Sequence, residues 1–181
     1  MDLFKNFIKN YYSDLNRICE NIERNSFEKL YFKIKNFKKK KSNKVLIFGN
    51  GAGASIASHV ANDMSNTLKI KTLSFDSATQ LTCYSNDYGY ENWVVKVLEV
   101  FFEKGDLIIF LSASGMSKNM INAAKHCKKK KIDFFSITGF KKENKLNKNS
   151  KNHIWINSKS YNKVELIQLS VLLIIIDRLN K

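Results

Sequence analysis

Five short apolar runs recur along the chain, and stretches with the three- and four-residue spacing of helices separate them. The runs are KVLIFG (44–49), IKTLSF (70–75), DLIIFLS (106–112), IDFFSITG (132–139) and, more weakly, HIWINS (153–158). The helical patterns cover 55–66, 77–84, 91–103, 117–130 and 162–180. Strands that alternate with helices of this length are typical of right-handed βαβ units. We therefore predict an α/β fold with three layers, doubly wound around a mostly parallel five-stranded sheet.

Two amphipathic helices are predicted before the first strand. Apolar residues recur at helical spacing over 3–22 and again over 26–38. The chain of 181 residues is 44% hydrophobic and contains no proline, so no proline-rich linker divides it. We expect a single domain over the whole chain, with a helical pair at 1–40 and an α/β core at 44–181.

The formal net charge is +15, and the lysines concentrate in three tracts at 36–44, 128–133 and 141–152. All three tracts lie between apolar segments, where solvated loops are expected, and they hold almost no aromatic residues for base stacking. No zinc-finger, RNP or helix-turn-helix pattern accompanies them. The sequence therefore favours a solvated surface over a nucleic-acid site, and either arrangement would attract a phosphorylated metabolite.

The cysteines and the apolar runs indicate a compartment. Cys19, Cys83 and Cys127 show no CxxC spacing, so neither a disulfide framework nor a zinc ribbon is predicted. The first residues lack the apolar stretch of a signal peptide, and the longest apolar run, VLLIII (171–176), is far shorter than the roughly 20 residues of a membrane span. We expect a cytoplasmic protein. Because VLLIII is apolar on every side, we expect it to be buried within the sheet layers or between subunits.

Glycine concentrates where the predicted strands end. Gly49, Gly51, Gly53, Gly115 and Gly139 lie just past such strands, and parallel sheets bind ligands at the carboxyl ends of their strands. The turn GNGAG after the first strand is neither a dinucleotide fingerprint nor a P-loop, so no nucleotide cofactor is expected. A tight structural turn between strand and helix remains the alternative for this stretch alone.

A serine-rich turn, SASGMS, follows the third predicted strand. Ser112, Ser114 and Ser117 flank Gly115 where a helix is predicted to begin. A helix N-terminus offers free N–H donors and a positive dipole end, and the hydroxyls add neutral donors. One serine would be explained as an N-cap, but three around a glycine favour a site for a phosphate monoester.

Four blocks of the sequence are similar, in order and spacing, to the signature blocks of one known family. They are FGNGAGASIASHVANDM, NDYGYEN, GDLIIFLSASGMSKNMINAAK and SITG. The chain thereby resembles the sugar isomerase (SIS) domain family, and within it the bacterial sedoheptulose-7-phosphate isomerases, also called phosphoheptose isomerases. The resemblance implies a flavodoxin-like fold, a homotetramer with active sites at subunit interfaces, a sugar phosphate as substrate, and a zinc ion near it.

The resemblance also implies roles for single residues. The phosphate-binding positions are Ser112, Ser114 and Ser117. The sugar-binding positions are Asn50, Gly51 and, in the NDYGYEN block, Asp87.

The metal and catalytic positions implied by the resemblance lie on two predicted helices. His59 matches a zinc-binding histidine, and Asp63 stands where the family has a catalytic, metal-binding glutamate. The two are four residues apart and share one helix face, as two ligands of one ion require. Glu165 on the last helix matches a glutamine ligand. The predicted metal ligands are therefore His59, Asp63 and Glu165, and the predicted catalytic residues are Asp63 and Glu165.

Besides Asp63 and Glu165, the chain departs from the family pattern at four positions. Leu173 stands where the family has a zinc-binding, proton-shuttling histidine, and Gln168 stands where it has another histidine. Gly53 replaces a serine of the glycine turn, and Ala113 replaces a threonine of the phosphate loop. Two functions remain open: an aldose–ketose isomerase of heptose synthesis for surface polysaccharide, and a non-catalytic SIS protein that senses a phosphosugar or binds a partner such as a replication initiator.

Overall fold

The centre of the molecule is a five-stranded, all-parallel sheet, seen in a computed structural model that describes residues 2–38 and 43–181. The strands are β1 (Val45–Gly49), β2 (Thr72–Ser74), β3 (Leu107–Ser112), β4 (Phe134–Thr138) and β5 (Asn152–Trp155). The helices of the described residues are α1 (Asp2–Glu20), α2 (Arg24–Phe37), α3 (Ala52–Asn66), α4 (Ala78–Tyr88), α5 (Trp93–Phe101), α6 (Lys118–Lys130) and α7 (Tyr161–Asn180). A short 3-10 helix spans Asn147–Asn149.

The strand order is β2-β1-β3-β4-β5, the doubly wound order in which the chain reverses direction across the sheet between β1 and β3. β1 pairs with β3 from Val45 opposite Leu107 to Gly49 opposite Leu111. The carboxyl ends of these two strands therefore lie side by side. Because the connections leave them in opposite directions, a crevice opens there. The predicted fold class is confirmed.

Both faces of the sheet are covered, which explains why the strands are continuous apolar runs rather than alternating ones. Val45 and Ile47 point into a core shared with α2, α3 and α7. Leu46 and Phe48 point into a second core shared with α5 and α6. The result is the predicted three-layer arrangement.

The N-terminal helices are buried to different extents. α2 buries Leu30, Ile34 and Phe37 against the sheet, whereas α1 buries only Ile18. Residues 39–42 of the lysine-rich tract and the outermost residues of the helical pair placed at 1–40 lie outside the described residues. Across the described residues, no helix combines the length and the apolar character that a membrane span requires.

One expectation needs correction. The tract 141–152 is not a fully solvated loop, because Asn144, Leu146 and Asn147 are at most 5% exposed. The tract folds back under the turn that follows β3, where the Leu146 N–H donates to the Gly115 carbonyl. In the run 171–176, Ile174 on the outer face of α7 is 53% exposed within one chain, so burial of the run between subunits stays a prediction.

Candidate functional site

The serine turn joins the end of β3 to the start of α6 inside the β1/β3 crevice. Ser112 is the last residue of β3, and Ser117 is the N-cap of α6. Their hydroxyl oxygens lie 3.5 Å apart, and the Ser114 hydroxyl accepts the Met116 N–H at 3.2 Å. The Ser117 side chain makes no capping bond to α6. The structure therefore gathers three hydroxyls at a helix N-terminus and does not use Ser117 as an ordinary cap.

Gly115 at the tip of this turn is required by both its backbone and its neighbour. Its φ is +66°, and a Cβ built on it would lie 2.1 Å from the Asn144 Oδ1. The turn is further pinned because the Gly115 N–H donates to the Ser112 carbonyl at 3.1 Å and the Leu146 N–H donates to the Gly115 carbonyl at 3.1 Å. The segment after β4 thus supports the floor of the serine turn.

Two buried asparagines form that support. The Asn144 Nδ2 donates to the Thr138 Oγ1 at 3.0 Å, and the Asn147 Nδ2 donates to the same oxygen at 2.8 Å. The Asn147 N–H donates to the Asn144 Oδ1 at 2.9 Å, and the Ser136 hydroxyl donates to the Asn147 Oδ1 at 2.9 Å. Sequence reasoning missed both residues, because asparagines within a lysine-rich stretch carry no apolar periodicity to mark them as buried.

Asn50 follows β1 and lies half-buried across the crevice from the serine turn. Its Nδ2 donates to the Asn119 Oδ1 at 3.0 Å, and its Oδ1 accepts from the Asn119 Nδ2 at 2.8 Å. The Tyr90 hydroxyl also donates to the Asn50 Oδ1, at 3.1 Å. Gly51, with φ +54°, is the N-cap of α3, and a Cβ added to it would lie more than 4 Å from the other described residues. The structure therefore links the glycine turn to the start of α6 and to the NDYGYEN block.

Asp87 is held apart from this group. It lies exposed on the last turn of α4, where its carboxylate accepts from the Asn86 Nδ2 at 3.1 Å. It lines a cavity of about 350 Å³ together with Cys83, Lys96 and Glu99. Within residues 2–38 and 43–181 its carboxylate makes no hydrogen bond to the serine turn or to Asn50. The predicted sugar-orienting role of Asp87 stays a prediction.

His59 and Asp63 lie together on α3, as their spacing predicts. The His59 Nε2 is 3.4 Å from the Asp63 Oδ2, and both side chains are well exposed. Glu165 lies half-buried on α7, which packs against α3. Yet no group of three His, Cys, Asp or Glu side chains in the described part of the chain is arranged to hold a metal ion. A single chain therefore supplies two donors, and the predicted three-ligand zinc site is not supported.

The last helix has structural residues at both positions where the resemblance implies a histidine. Gln168 is 1% exposed, and its Nε2 donates to the Ile137 carbonyl at 2.6 Å, so it holds α7 against β4. Leu173 is half-buried and packs against the core between α7 and the sheet. Neither side chain can carry a proton to or from a substrate.

The chain matches the SIS domain family over residues 10–139, which include the glycine turn, the NDYGYEN block and the serine turn. The chain belongs to the SIS domain family. The resemblance found in the sequence is thus confirmed. This SIS chain is 32% identical over 151 residues to phosphoheptose isomerase 2 of Campylobacter jejuni, an alignment that covers 77% of this chain and 74% of that protein.

Solved structures share the fold. Phosphoheptose isomerase GmhA from Neisseria gonorrhoeae superposes with a TM-score of 0.85 at 20% identity, covering 97% of this SIS chain and 99% of that one. The Vibrio vulnificus NanR protein complexed with ManNAc-6P superposes with a TM-score of 0.70 at 16% identity, covering 98% of this chain and 61% of that one. The flavodoxin-like SIS architecture is therefore found in both proteins.

Proposed function

We propose that this SIS protein is a phosphosugar isomerase of the phosphoheptose isomerase type, which interconverts a ketose phosphate such as sedoheptulose 7-phosphate with its aldose phosphate. The observation that carries the proposal is the turn of Ser112, Ser114 and Ser117 in the β1/β3 crevice. The 32% identical Campylobacter jejuni relative supports the choice of substrate.

The serine turn would bind the phosphate end of the sugar. Hydroxyl and backbone N–H donors suit a dianion, and the dipole of α6 adds a positive partial charge at the same point. No carboxylate among the described residues is hydrogen-bonded into this turn. The net charge of +15 would also draw an anionic substrate toward the protein.

The isomerisation itself needs a proton moved between neighbouring carbons. A base removes the proton from the carbon beside the carbonyl and returns it to the old carbonyl carbon. Meanwhile the carbonyl oxygen gains a proton and the neighbouring hydroxyl loses one. Asp63 is the proposed base, with Glu165 as the second candidate carboxylate. His59, whose Nε2 lies 3.4 Å from the Asp63 Oδ2, is the group proposed to exchange a proton with an oxygen.

We also propose a homotetramer in the cytoplasm, with active sites completed between subunits. The support is the apolar surface that one chain leaves uncovered on α1: Leu3, Phe4 and Phe7 are at least 65% exposed. We propose zinc as part of the same assembly, because a zinc ion bound by His59 and Asp63 would need a further ligand, which a neighbouring subunit could supply. Elemental analysis of the purified protein tests for zinc directly.

A second candidate function is phosphosugar binding without turnover, and Leu173 is the observation that favours it. A hydrocarbon side chain stands where the resemblance implies the proton-shuttling histidine. The serine turn and Asn50 would still bind the ligand, because neither depends on the last helix.

The test is conversion of sedoheptulose 7-phosphate by the purified protein, with and without added zinc, alongside binding of the same sugar phosphate by calorimetry. We expect conversion by the wild type and a loss of about 10²-fold or more in kcat for Asp63→Asn with binding retained. Ser114→Ala should raise KM, whereas Ser13→Ala on the exposed face of α1 is the control and should change neither constant. Binding without conversion would establish the second candidate, and absence of both would refute the proposal.

A further inference from the structure

Asn119 is the most buried polar side chain bonded to the proposed sugar-binding residues. It is 1% exposed and lies in the first turn of α6, two residues after the N-cap Ser117. Its amide makes both of its hydrogen bonds with the amide of Asn50 on the other side of the crevice. This partly buried amide pair joins the turn after β1 to the first turn of α6 through side chains alone.

Among residues 2–38 and 43–181, the hydrogen bonds of Asn50 leave one of its side-chain donors unused. A side-chain amide has two N–H donors and two acceptor lone pairs on its oxygen. The Asn50 Oδ1 accepts from the Asn119 Nδ2 at 2.8 Å and from the Tyr90 hydroxyl at 3.1 Å, which uses both lone pairs. The Asn50 Nδ2 donates once, to the Asn119 Oδ1 at 3.0 Å. One N–H of Asn50 therefore has no partner in the described part of the chain and is available to a ligand.

We infer that Asn119 is a positioning residue that fixes Asn50 with this one N–H presented to an oxygen of the bound sugar. The inference rests on the proposed function, since it assigns the recognition of the sugar within the same crevice. Asn119 itself is too buried to touch the substrate, so it acts through Asn50. A hydrogen-bond donor held toward a sugar oxygen strengthens the binding of that oxygen. Its stabilising effect is largest if negative charge develops on the oxygen during the reaction.

The position of Asn119 also fixes the distance between the phosphate-binding hydroxyls and the side chain of Asn50. Ser117 and Asn119 belong to the same rigid end of α6, so the phosphate-binding hydroxyl and the anchor of Asn50 cannot move independently. The separation between the phosphate and the sugar oxygen that Asn50 meets is therefore set by the backbone. A ligand that carries phosphate alone reaches only the serine turn, whereas a sugar phosphate reaches both.

The experiment compares the binding of two ligands, inorganic phosphate and sedoheptulose 7-phosphate, by calorimetry with the full-length protein. Asn119→Leu has nearly the same shape and no charge, and it removes both hydrogen bonds to Asn50. Asn16→Leu is the control for the same substitution away from the crevice, because Asn16 lies exposed on α1 and its Nδ2 donates to the Glu20 Oε1 at 2.9 Å. We expect Asn119→Leu to weaken sugar phosphate binding by about 10-fold and phosphate binding by less than about 2-fold. The control should change neither.

Two results would overturn the inference. One is unchanged sugar phosphate binding in Asn119→Leu, and the other is an equal loss for both ligands, which would make Asn119 a structural support of the serine turn. If Asn119→Leu does not fold, Tyr90→Phe replaces it. Tyr90 is 49% exposed, and its hydroxyl is the third bond to Asn50. We expect that variant to lose about 3-fold for the sugar phosphate only, and no selective loss would count against the inference.

The same experiments distinguish a failure of the proposed isomerase function from a failure of the inference about Asn119. A wild type that prefers the sugar phosphate over phosphate but never converts it refutes isomerase activity, while a selective loss in Asn119→Leu still supports the role of Asn119. A wild type without any preference for the sugar phosphate overturns both.

Discussion

Replacing Gly115 by alanine tests whether the serine turn depends on the asparagine support beneath it. Gly115 has a φ of +66°, and an added Cβ would lie 2.1 Å from the Asn144 Oδ1 and 2.2 Å from its Cγ. Asn144 cannot yield easily, because its Nδ2 donates to the Thr138 Oγ1 and the Lys141 carbonyl while its Oδ1 accepts the Asn147 N–H. The new methyl group must therefore break this network or distort the turn.

The expected loss in free energy of unfolding has two parts. Alanine in a backbone conformation that favours glycine costs about 1–3 kcal/mol. Overpacking against a buried side chain costs about 1–3 kcal/mol more. We expect Gly115→Ala to lower the free energy of unfolding by about 2–6 kcal/mol in total. Gly51→Ala is the control for the first part alone, because Gly51 has a φ of +54° and nothing lies within 4 Å of its added Cβ.

Urea denaturation of single and double variants separates the two parts. Asn144→Ala removes the atoms that the new methyl would strike, so Gly115→Ala combined with Asn144→Ala should be less destabilised than the sum of the single changes by about 1–3 kcal/mol. Gly51→Ala combined with Asn144→Ala should be additive within about 0.5 kcal/mol. Additivity in the first pair, or equal costs for Gly115→Ala and Gly51→Ala, would refute the proposed contact.

Three further predictions concern thiols, pH and the last helix. Burial raises the pKa of the Cys127 thiol to about 12. A thiol reagent at pH 8 should therefore modify Cys19 and Cys83 in the native protein, and Cys127 only after unfolding in urea. Rapid labelling of Cys127 in the native protein would contradict this prediction. Burial lowers the pKa of His153, whose buried Nδ1 has no partner among the described residues. The unfolded chain then binds more protons below pH 6.5 than the folded chain does, so the free energy of unfolding should fall as the pH drops through that value. His153→Gln should make the free energy of unfolding, measured by urea titration, depend less steeply on pH. Gln168→Ala should lower the free energy of unfolding by about 2–4 kcal/mol in the same assay, because it deletes the hydrogen bond to the Ile137 carbonyl and leaves a cavity. A decrease of less than about 0.5 kcal/mol would mean that Gln168 is not a structural residue.

The sheet could be predicted from the sequence because both of its faces are buried. A strand such as β3 then reads as an unbroken apolar run, and each run ends where a turn residue follows. The prediction placed all five strands, and β3 begins one residue later than predicted, at Leu107. The helix α4 continues to Tyr88, four residues beyond its predicted end, because its polar last turn carries no apolar periodicity.

The supports of the site could not be predicted in the same way. Asn119 bonds to Asn50, 69 residues away in the chain, and Asn144 lies against Gly115 of the serine turn. Neither asparagine lies in a local pattern that separates a buried asparagine from a solvated one. The serine turn was different, because three hydroxyls around a glycine at a helix start are a local signal. Local chemistry was therefore visible in the sequence, while the tertiary contacts that orient it were not.

The two ends of the proposed site differ in how much of it one chain contains. The serine turn, as the proposed phosphate end, is held by hydrogen bonds of Ser112, Gly115 and Ser117 within the same chain. The proposed acid–base end is not held in this way, since the side chains of His59 and Asp63 lie exposed on α3. The apolar residues of α1 remain uncovered as well. Burying a large apolar side chain contributes about 1.5–3 kcal/mol, so several such residues per chain can offset the cost of association, about 4–15 kcal/mol. Assembly would thus cover the apolar face of α1 and supply whatever the exposed His59–Asp63 pair lacks, while the phosphate end needs neither.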